Sequence, residues 1–183
     1  MPRHTSIEID LAALRHNASQ IKRITAPRQF FAVVKADAYG HGAIECSRTL
    51  EAVVDGLVVA ILEEAVMLRE AGVEANIIVL QGPHSREDLA EFSRLDLWPV
   101  FTDHRQLAWL DSMSRQQIER AWLKVDTGMH RLGFNLSDIV TAEQQLRKSG
   151  IADVALMSHF AESEVAGSEL TAKQLASWQT LAR

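Results

Sequence analysis

Residues 30–42 read FFAVVKADAYGHG: five apolar residues, a lysine, then a stretch punctuated by Gly40 and Gly42. A continuous apolar run of this length is the pattern of a strand covered on both faces, as in a parallel sheet. Lys35 closes the run. An ammonium is costly to bury without a partner, and lysine is rarely fully buried. Two readings follow. The side chain snorkels to solvent from a strand end, or its amine, held among apolar groups, reacts with an aldehyde to form a Schiff base. Tyr39, the only tyrosine of the chain, and the glycine-flanked His41 stand close enough to Lys35 to keep the second reading open. The stretch after Lys35 is expected to be a loop whose glycines allow close backbone approach to a ligand.

The same pattern recurs along the chain. Strands are expected at 30–34, 56–62 (GLVVAIL), 76–80 (NIIVL), 97–101 (LWPVF), 121–126 (AWLKVD) and 154–160 (VALMSHF). Helical patterns alternate with them at 62–72, ending on Gly72, at 85–92 with Ser85 as N-cap, at 103–110 with Asp103 as N-cap, and at 137–150, ending in basic residues and Gly150. Alternating strands and helices imply a parallel sheet with right-handed crossovers, hence the α/β class. An open doubly wound sheet and a (β/α)8 TIM-type barrel both fit. A barrel has eight strands in about 250 residues, so on that reading this chain carries an incomplete barrel of about six βα units. Residues 6–11, SIEIDL, alternate in a way that suits a half-exposed antiparallel strand rather than a barrel member.

The chain has 183 residues, is 47% hydrophobic and 23% charged, and carries a net charge of −5. Dispersed Lys and Arg argue against nucleic acid or an anionic membrane as partner. No apolar run reaches the roughly 18 residues of a membrane span, and the N-terminus lacks the apolar core of a secretory signal. The single cysteine, Cys46, suits a reducing compartment, so a cytoplasmic location is expected. Cys46 is expected to be a small buried hydrophobe, and Trp109, Leu110 and Trp178 core residues. His4, His16, His84 and His104 show no partner spacing and are expected at the surface.

Active sites of parallel α/β folds gather at the C-terminal ends of strands. The polar residues there are Lys35, Tyr39, His41, Gln81, Lys124, Asp126 and His159. In WLKVDTGMHRLGF, residues 122–134, strand periodicity puts Trp122, Lys124 and Asp126 on one face and Leu123 and Val125 on the other. The loop that follows brings Arg131 to the same mouth. A plain Lys124–Asp126 ion pair beside a surface arginine is the ordinary alternative. The chain has no H-E-x-x-H or C-x-x-C, so no metal site is expected, and neither a Walker A motif nor a G-x-G-x-x-G supports nucleotide binding.

AVVKADAYGHG (32–42), KVDTGMHRLGF (124–134) and SHFAESE (158–164), in this order, resemble the N-terminal half of the alanine racemases. The resemblance runs through essentially all 183 residues and includes SIEIDLAALRHN at the start. It implies a pyridoxal 5′-phosphate (PLP) enzyme built on a (β/α)8 barrel, with a C-terminal β-domain that this chain does not carry. Residues 1–183 would be the N-terminal portion of the barrel, and residues 1–11 a strand that joins the β-domain. Lys35 matches the lysine that holds PLP covalently and acts as one of two catalytic bases. Tyr39 matches a tyrosine that reaches the cofactor phosphate. Arg131 matches the arginine that hydrogen-bonds the phenolic oxygen of the ring, and Lys124 a lysine that the family often carbamylates. His159 matches a histidine in the network behind the pyridine ring, and Leu80 lies where the family contacts the cofactor.

The implied reaction interconverts L- and D-alanine by two-base α-proton transfer, supplying D-alanine for peptidoglycan, in a homodimer. The family's second base is a tyrosine of the partner's β-domain, whereas Tyr39 is already assigned to the phosphate. The chain is therefore expected to be truncated and inactive by itself. Alternatives are a broad-spectrum amino-acid racemase, a related PLP decarboxylase, which AYGHG and GMHRLGF disfavour, and a non-catalytic PLP-binding carrier barrel.

Overall fold

The computed structural model describes residues 6–110 and 118–181. His4, the start of the expected strand 1–11 and the last two residues of the chain lie outside this range. Two compact units divide the chain, Met1–Ile78 and Val79–Arg183.

The first unit contains α1 (Leu11–Thr25), β1 (Phe31–Val33), a single helical turn α2 (Lys35–Gly40), α3 (Ala43–Leu50), β2 (Gly56–Val59) and α4 (Leu62–Glu70), and it reaches into β3 (Ile77–Val79). β1 and β2 run parallel, with Ala32 opposite Leu57. All four residues of β2 and all three of β3 are buried, which is what their unbroken apolar sequences require. Gly56 is obligatory: a Cβ there would lie 2.8 Å from the Asn76 carbonyl and 2.9 Å from the Phe31 ring. Gly72, at φ 81°, stops α4 as expected, with Val73 N–H returning to the Leu68 carbonyl at 3.1 Å.

No strand forms over residues 6–10, and Leu11, expected at the end of one, opens α1. The Asp10 carboxylate accepts from the Ala13 N–H at 2.9 Å, so the acidic end of SIEID is a helix N-cap. A strand needs a ladder partner, and none of the described residues supplies one to this segment.

The second unit contains α5 (Asp88–Arg94), β4 (Leu97–Phe101), α6 (His104–Leu110), β5 (Arg120–Lys124), a 3-10 turn (Leu136–Asp138), α7 (Ile139–Lys148), β6 (Asp153–Met157) and α8 (Glu169–Gln179). β4, β5 and β6 are consecutive parallel neighbours, with Val100 opposite Trp122 and Lys124 opposite Met157. Phe92, Phe101, Leu107, Leu123 and Leu146 fill the core, each fully buried and each contributing roughly 1.5–3 kcal/mol by its burial.

The six expected strands are all present, most of them shorter than their apolar runs. Asp103 caps α6 as expected, accepting from the Gln106 N–H at 3.0 Å. α5 begins at Asp88, and Ser85 caps the turn that leads into it: its hydroxyl accepts from the Asp88 N–H at 3.3 Å while the Asp88 carboxylate accepts from the Ser85 N–H at 3.1 Å. The Ser85 hydroxyl also donates to the Asp88 carboxylate at 2.7 Å. Leu110 is buried, whereas Trp109 and Trp178 are only half-buried. His84 and His104 have polar partners after all, Gln81 at 3.0 Å and Asp138 at 3.6 Å. Cys46 is buried, as expected, and burial with nearby Asp37 and Glu45 pushes its thiol up.

Candidate active site

Lys35 lies two residues past the end of β1, opens α2 and is half-buried. The segment after it is not the loose loop its glycines suggest. Ala36, Asp37, Ala38 and Tyr39 have φ between 52° and 55° and ψ between 37° and 51°, a complete turn of left-handed helix without a glycine among them. L-residues pay about 1–2 kcal/mol each in this region, so the turn needs compensation. It is closed by Ala38 N–H on the Val34 carbonyl at 2.9 Å and Gly42 N–H on the Asp37 carbonyl at 3.0 Å. The Asp37 carboxylate accepts from Ala43 N–H at 2.7 Å, which ties the turn to the start of α3. The Glu64 carboxylate accepts from Ala36 N–H at 2.7 Å, across from α4. The turn presents Tyr39 to solvent at 61% exposure, its ring centre 6.0 Å from Lys35 Nζ.

In the second unit Lys124, Asp126, Arg131 and His159 line one narrow cleft. Leu123 and Val125 are buried, as strand alternation predicts, and Lys124 is 8% exposed. Burial, and then the neighbouring Arg131 guanidinium, hold the Lys124 ammonium below its usual range, against a smaller opposing pull from Asp126. Asp126 is engaged elsewhere, accepting from the backbone N–H groups of Gly128 and His130 at 2.9 and 3.0 Å and contacting His130 Nδ1 at 3.0 Å. Burial alone would raise its carboxyl, but these hydrogen bonds outweigh it and hold the group below the usual carboxylate range. Asp126 is thus the organiser of the loop 126–130. A further constraint is Gly133, at φ 129°, where a Cβ would sit 2.8 Å from Asp126 N. Phe134 then bonds both ways to β5, its N–H to the Lys124 carbonyl at 2.8 Å and its carbonyl to Asp126 N–H at 2.9 Å.

His159 lies just beyond β6 and its carbonyl accepts from Gln174 Nε2 at 2.9 Å. Gln174, fully buried on α8, also takes the Ala161 N–H at 3.0 Å. Thr127 and Ser158 share a 2.7 Å hydroxyl contact across the ends of β5 and β6. Leu80 is half-buried in the turn after β3, next to Gln81, whose carbonyl is held by Gln106 Nε2 at 2.7 Å.

The structure therefore gathers Lys124, Arg131 and His159 in one cleft and sets Tyr39 beside Lys35 within the first unit. Sequence reasoning missed Glu64, Gln106 and Gln174, which hold strand-end loops from the helices that follow. A Glu three residues after the N-cap Ile61, at the third position of a helix that follows an apolar strand, is a recognisable capping signal. Buried glutamines inside helices carry no such signature. Among the described residues no group of His, Cys, Asp and Glu could hold a metal ion, and no helix is long and apolar enough to cross a membrane.

Parallel strand–helix units with polar groups collected at strand ends place the chain in the α/β class, as an incomplete (β/α)8 barrel. Residues 9–183 match the family described as alanine racemase, N-terminal domain, and the chain belongs to that family. It is 43% identical over 172 residues to the alanine racemase of Pseudomonas taetrolens, covering 92% of this chain and 47% of that protein. With the alanine racemase of Alteromonas mediterranea it shares 38% identity over 182 residues, 100% of this chain and 51% of that protein. The crystal structure of biosynthetic alanine racemase from Pseudomonas aeruginosa superposes with a TM-score of 0.89 at 39% identity, over 95% of this chain and 49% of that one. The chain spans about half the length of the relatives it matches.

Proposed function

We propose that this chain is the cofactor-binding half of a PLP-dependent alanine racemase that interconverts L- and D-alanine. The observation that carries the reading is the half-buried strand-end Lys35 with Tyr39 on the turn behind it, in a chain whose relatives are alanine racemases. The donor set fits the cofactor by its chemistry: an amine for the aldehyde, a hydroxyl for a phosphate oxygen, and the Arg131 guanidinium, in the cleft beside Lys124, for a phenolate oxygen.

On this reading Lys35 holds the cofactor, Tyr39 donates to its phosphate, Arg131 to its phenolic oxygen, and His159 and Leu80 complete the contacts. When bound, PLP delocalises the electron pair left on Cα after proton removal. Lys35 Nζ then moves the proton on one face of Cα, and a second base must act on the opposite face. Tyr39, the sole tyrosine, sits on the same turn as Lys35 and is given to the phosphate. The second base thus comes from sequence outside this chain, in a homodimer whose β-domain also takes the residues that precede α1 as a strand. The 183 residues alone bind the cofactor without turnover. Lys124, buried and with a lowered ammonium pKa, is an amine able to add CO2: the nitrogen lone pair bonds carbon, a proton leaves to solvent, and the carbamate orients Arg131. The full protein acts in the cytoplasm and its D-alanine enters peptidoglycan.

The test is PLP titration of the chain, borohydride reduction and peptide mapping, alongside Cα-proton exchange of L-alanine in deuterated water by the full-length protein. Label on Lys35 and exchange with loss of chirality are expected. Label scattered over surface lysines would refute the cofactor site. Label on Lys35 without alanine exchange would refute the substrate.

A further inference from the structure

The left-handed turn behind Lys35 is held at its far end by Asp37 and internally by its own backbone, but its first peptide faces a different element. Ala36 N–H, the first donor after Lys35, is met by Glu64 Oε1 at 2.7 Å. The other oxygen of the same carboxylate, Oε2, takes Ala60 N–H at 2.7 Å and lies 3.4 Å from Ile61 N. One side chain at the start of α4 thus joins the end of β1 to the end of β2. We propose that Glu64 is a positioning residue for the lysine site: it fixes the turn that carries Tyr39 relative to Lys35, which stands two residues past the end of β1. The role rests on the reading of Lys35 as the cofactor lysine.

The physical case is one of over-determination. A non-glycine residue at φ 52° persists only where its surroundings leave it no better choice. Release Ala36 N–H, and the bonds on either side of that peptide can return to an extended or right-handed basin. Lys35 remains next to Val34, whose N–H is held by the Val58 carbonyl at 2.8 Å, while the turn bearing Tyr39 swings away from it. Gly42 to the Asp37 carbonyl and Ala43 to its carboxylate would still hold the far end. The loss is therefore local to the lysine–tyrosine relation. A glutamate is required because both oxygens accept. A glutamine keeps the shape but offers one acceptor and turns an NH2 against a backbone donor.

The experiment compares the wild-type chain with Glu64→Gln, Glu64→Ala and Glu64→Gln/Ala36→Gly. Amide hydrogen exchange by mass spectrometry follows residues 34–40 and 58–62, with 97–101 as a reference. Cofactor absorbance on PLP titration gives the apparent affinity, and borohydride trapping reports label at Lys35. Losing a hydrogen bond to a charged group corresponds to about tenfold or more. Exchange at 34–40 should quicken by about that factor in Glu64→Ala and by less in Glu64→Gln, with 97–101 unchanged and PLP affinity weakened in parallel. Ala36→Gly should restore affinity in the Glu64→Gln background, because glycine accepts the left-handed conformation unaided. Unchanged exchange at 34–40 would overturn the inference, as would equal quickening at 97–101 or full PLP affinity in Glu64→Ala. A wild-type chain that takes no label on Lys35 refutes the cofactor reading instead. The exchange result at 34–40 then decides by itself whether Glu64 holds the turn.

Discussion

Replacing Ala36 by glycine should stabilise this protein, the opposite of what alanine-to-glycine does in an ordinary helix. At φ 52° and ψ 51° the alanine Cβ crowds the following carbonyl, at a cost of about 1–2 kcal/mol. Glycine escapes that cost but loses more chain entropy on folding, roughly 0.5–1 kcal/mol. Ala36 is exposed, so no apolar burial is given up, and the net gain is about 0.5–1 kcal/mol. Ala38 shares the conformation but is 8% exposed, and deleting its methyl removes about 0.8 kcal/mol of burial, so Ala38→Gly should come out near zero. Ala65 is fully buried in the right-handed α4, and Ala65→Gly should cost about 1.5–2 kcal/mol from propensity and burial together. Urea unfolding followed by circular dichroism, with a common m value, ranks the three midpoints. An Ala36→Gly midpoint lower than wild type by 0.5 kcal/mol or more, at roughly that precision, would refute the strained turn.

Gly133→Ala should cost about 3 kcal/mol or more, because its Cβ would meet Asp126 N at 2.8 Å and strain a φ of 129° while opening the Phe134 bridge; urea unfolding measures it. Gln174→Ala removes a fully buried side chain that holds the His159 carbonyl and the Ala161 N–H of two exposed residues, and the loss of these two hydrogen bonds should cost about 1–3 kcal/mol in the same assay. Asp126, with its folded pKa lowered, contributes stability that is present above its unfolded value near 3.9 and lost as pH falls through the folded one. Asp126→Asn should therefore flatten the acid limb of the stability–pH curve. Lys124 shifts in the same direction but in a higher window: its folded pKa is depressed, so stability rises with pH from that value up to the unfolded value near 10.4, and Lys124→Met should remove that slope.

Much of the fold was open to direct reading. Apolar runs such as 76–80 and 97–101 can only be covered strands, and Gly72 and Gly150 mark helix ends through conformations that few other residues accept. Strand ends were overshot because composition continues past the last ladder bond: in GLVVAIL the strand stops at Val59, and the next two residues serve the cap of α4. In the opening SIEIDL the helix likewise begins before the alternating pattern ends, since Asp10 works as a cap and Leu11 is helical.

What the amino-acid sequence determined by itself is the order of strands and helices, the residue types at the strand ends, and the family, because those depend on local periodicity and on motifs contiguous in the chain. Only the tertiary structure decided how the site is held. Glu64 reaches Ala36 across 28 positions and Gln174 reaches His159 across 15. The left-handed turn of ADAY contradicts the local preference of Ala36, Ala38 and Tyr39. A conformation that local energetics oppose can be chosen only by partners brought from elsewhere in the fold, and those partners are invisible until the chain is packed.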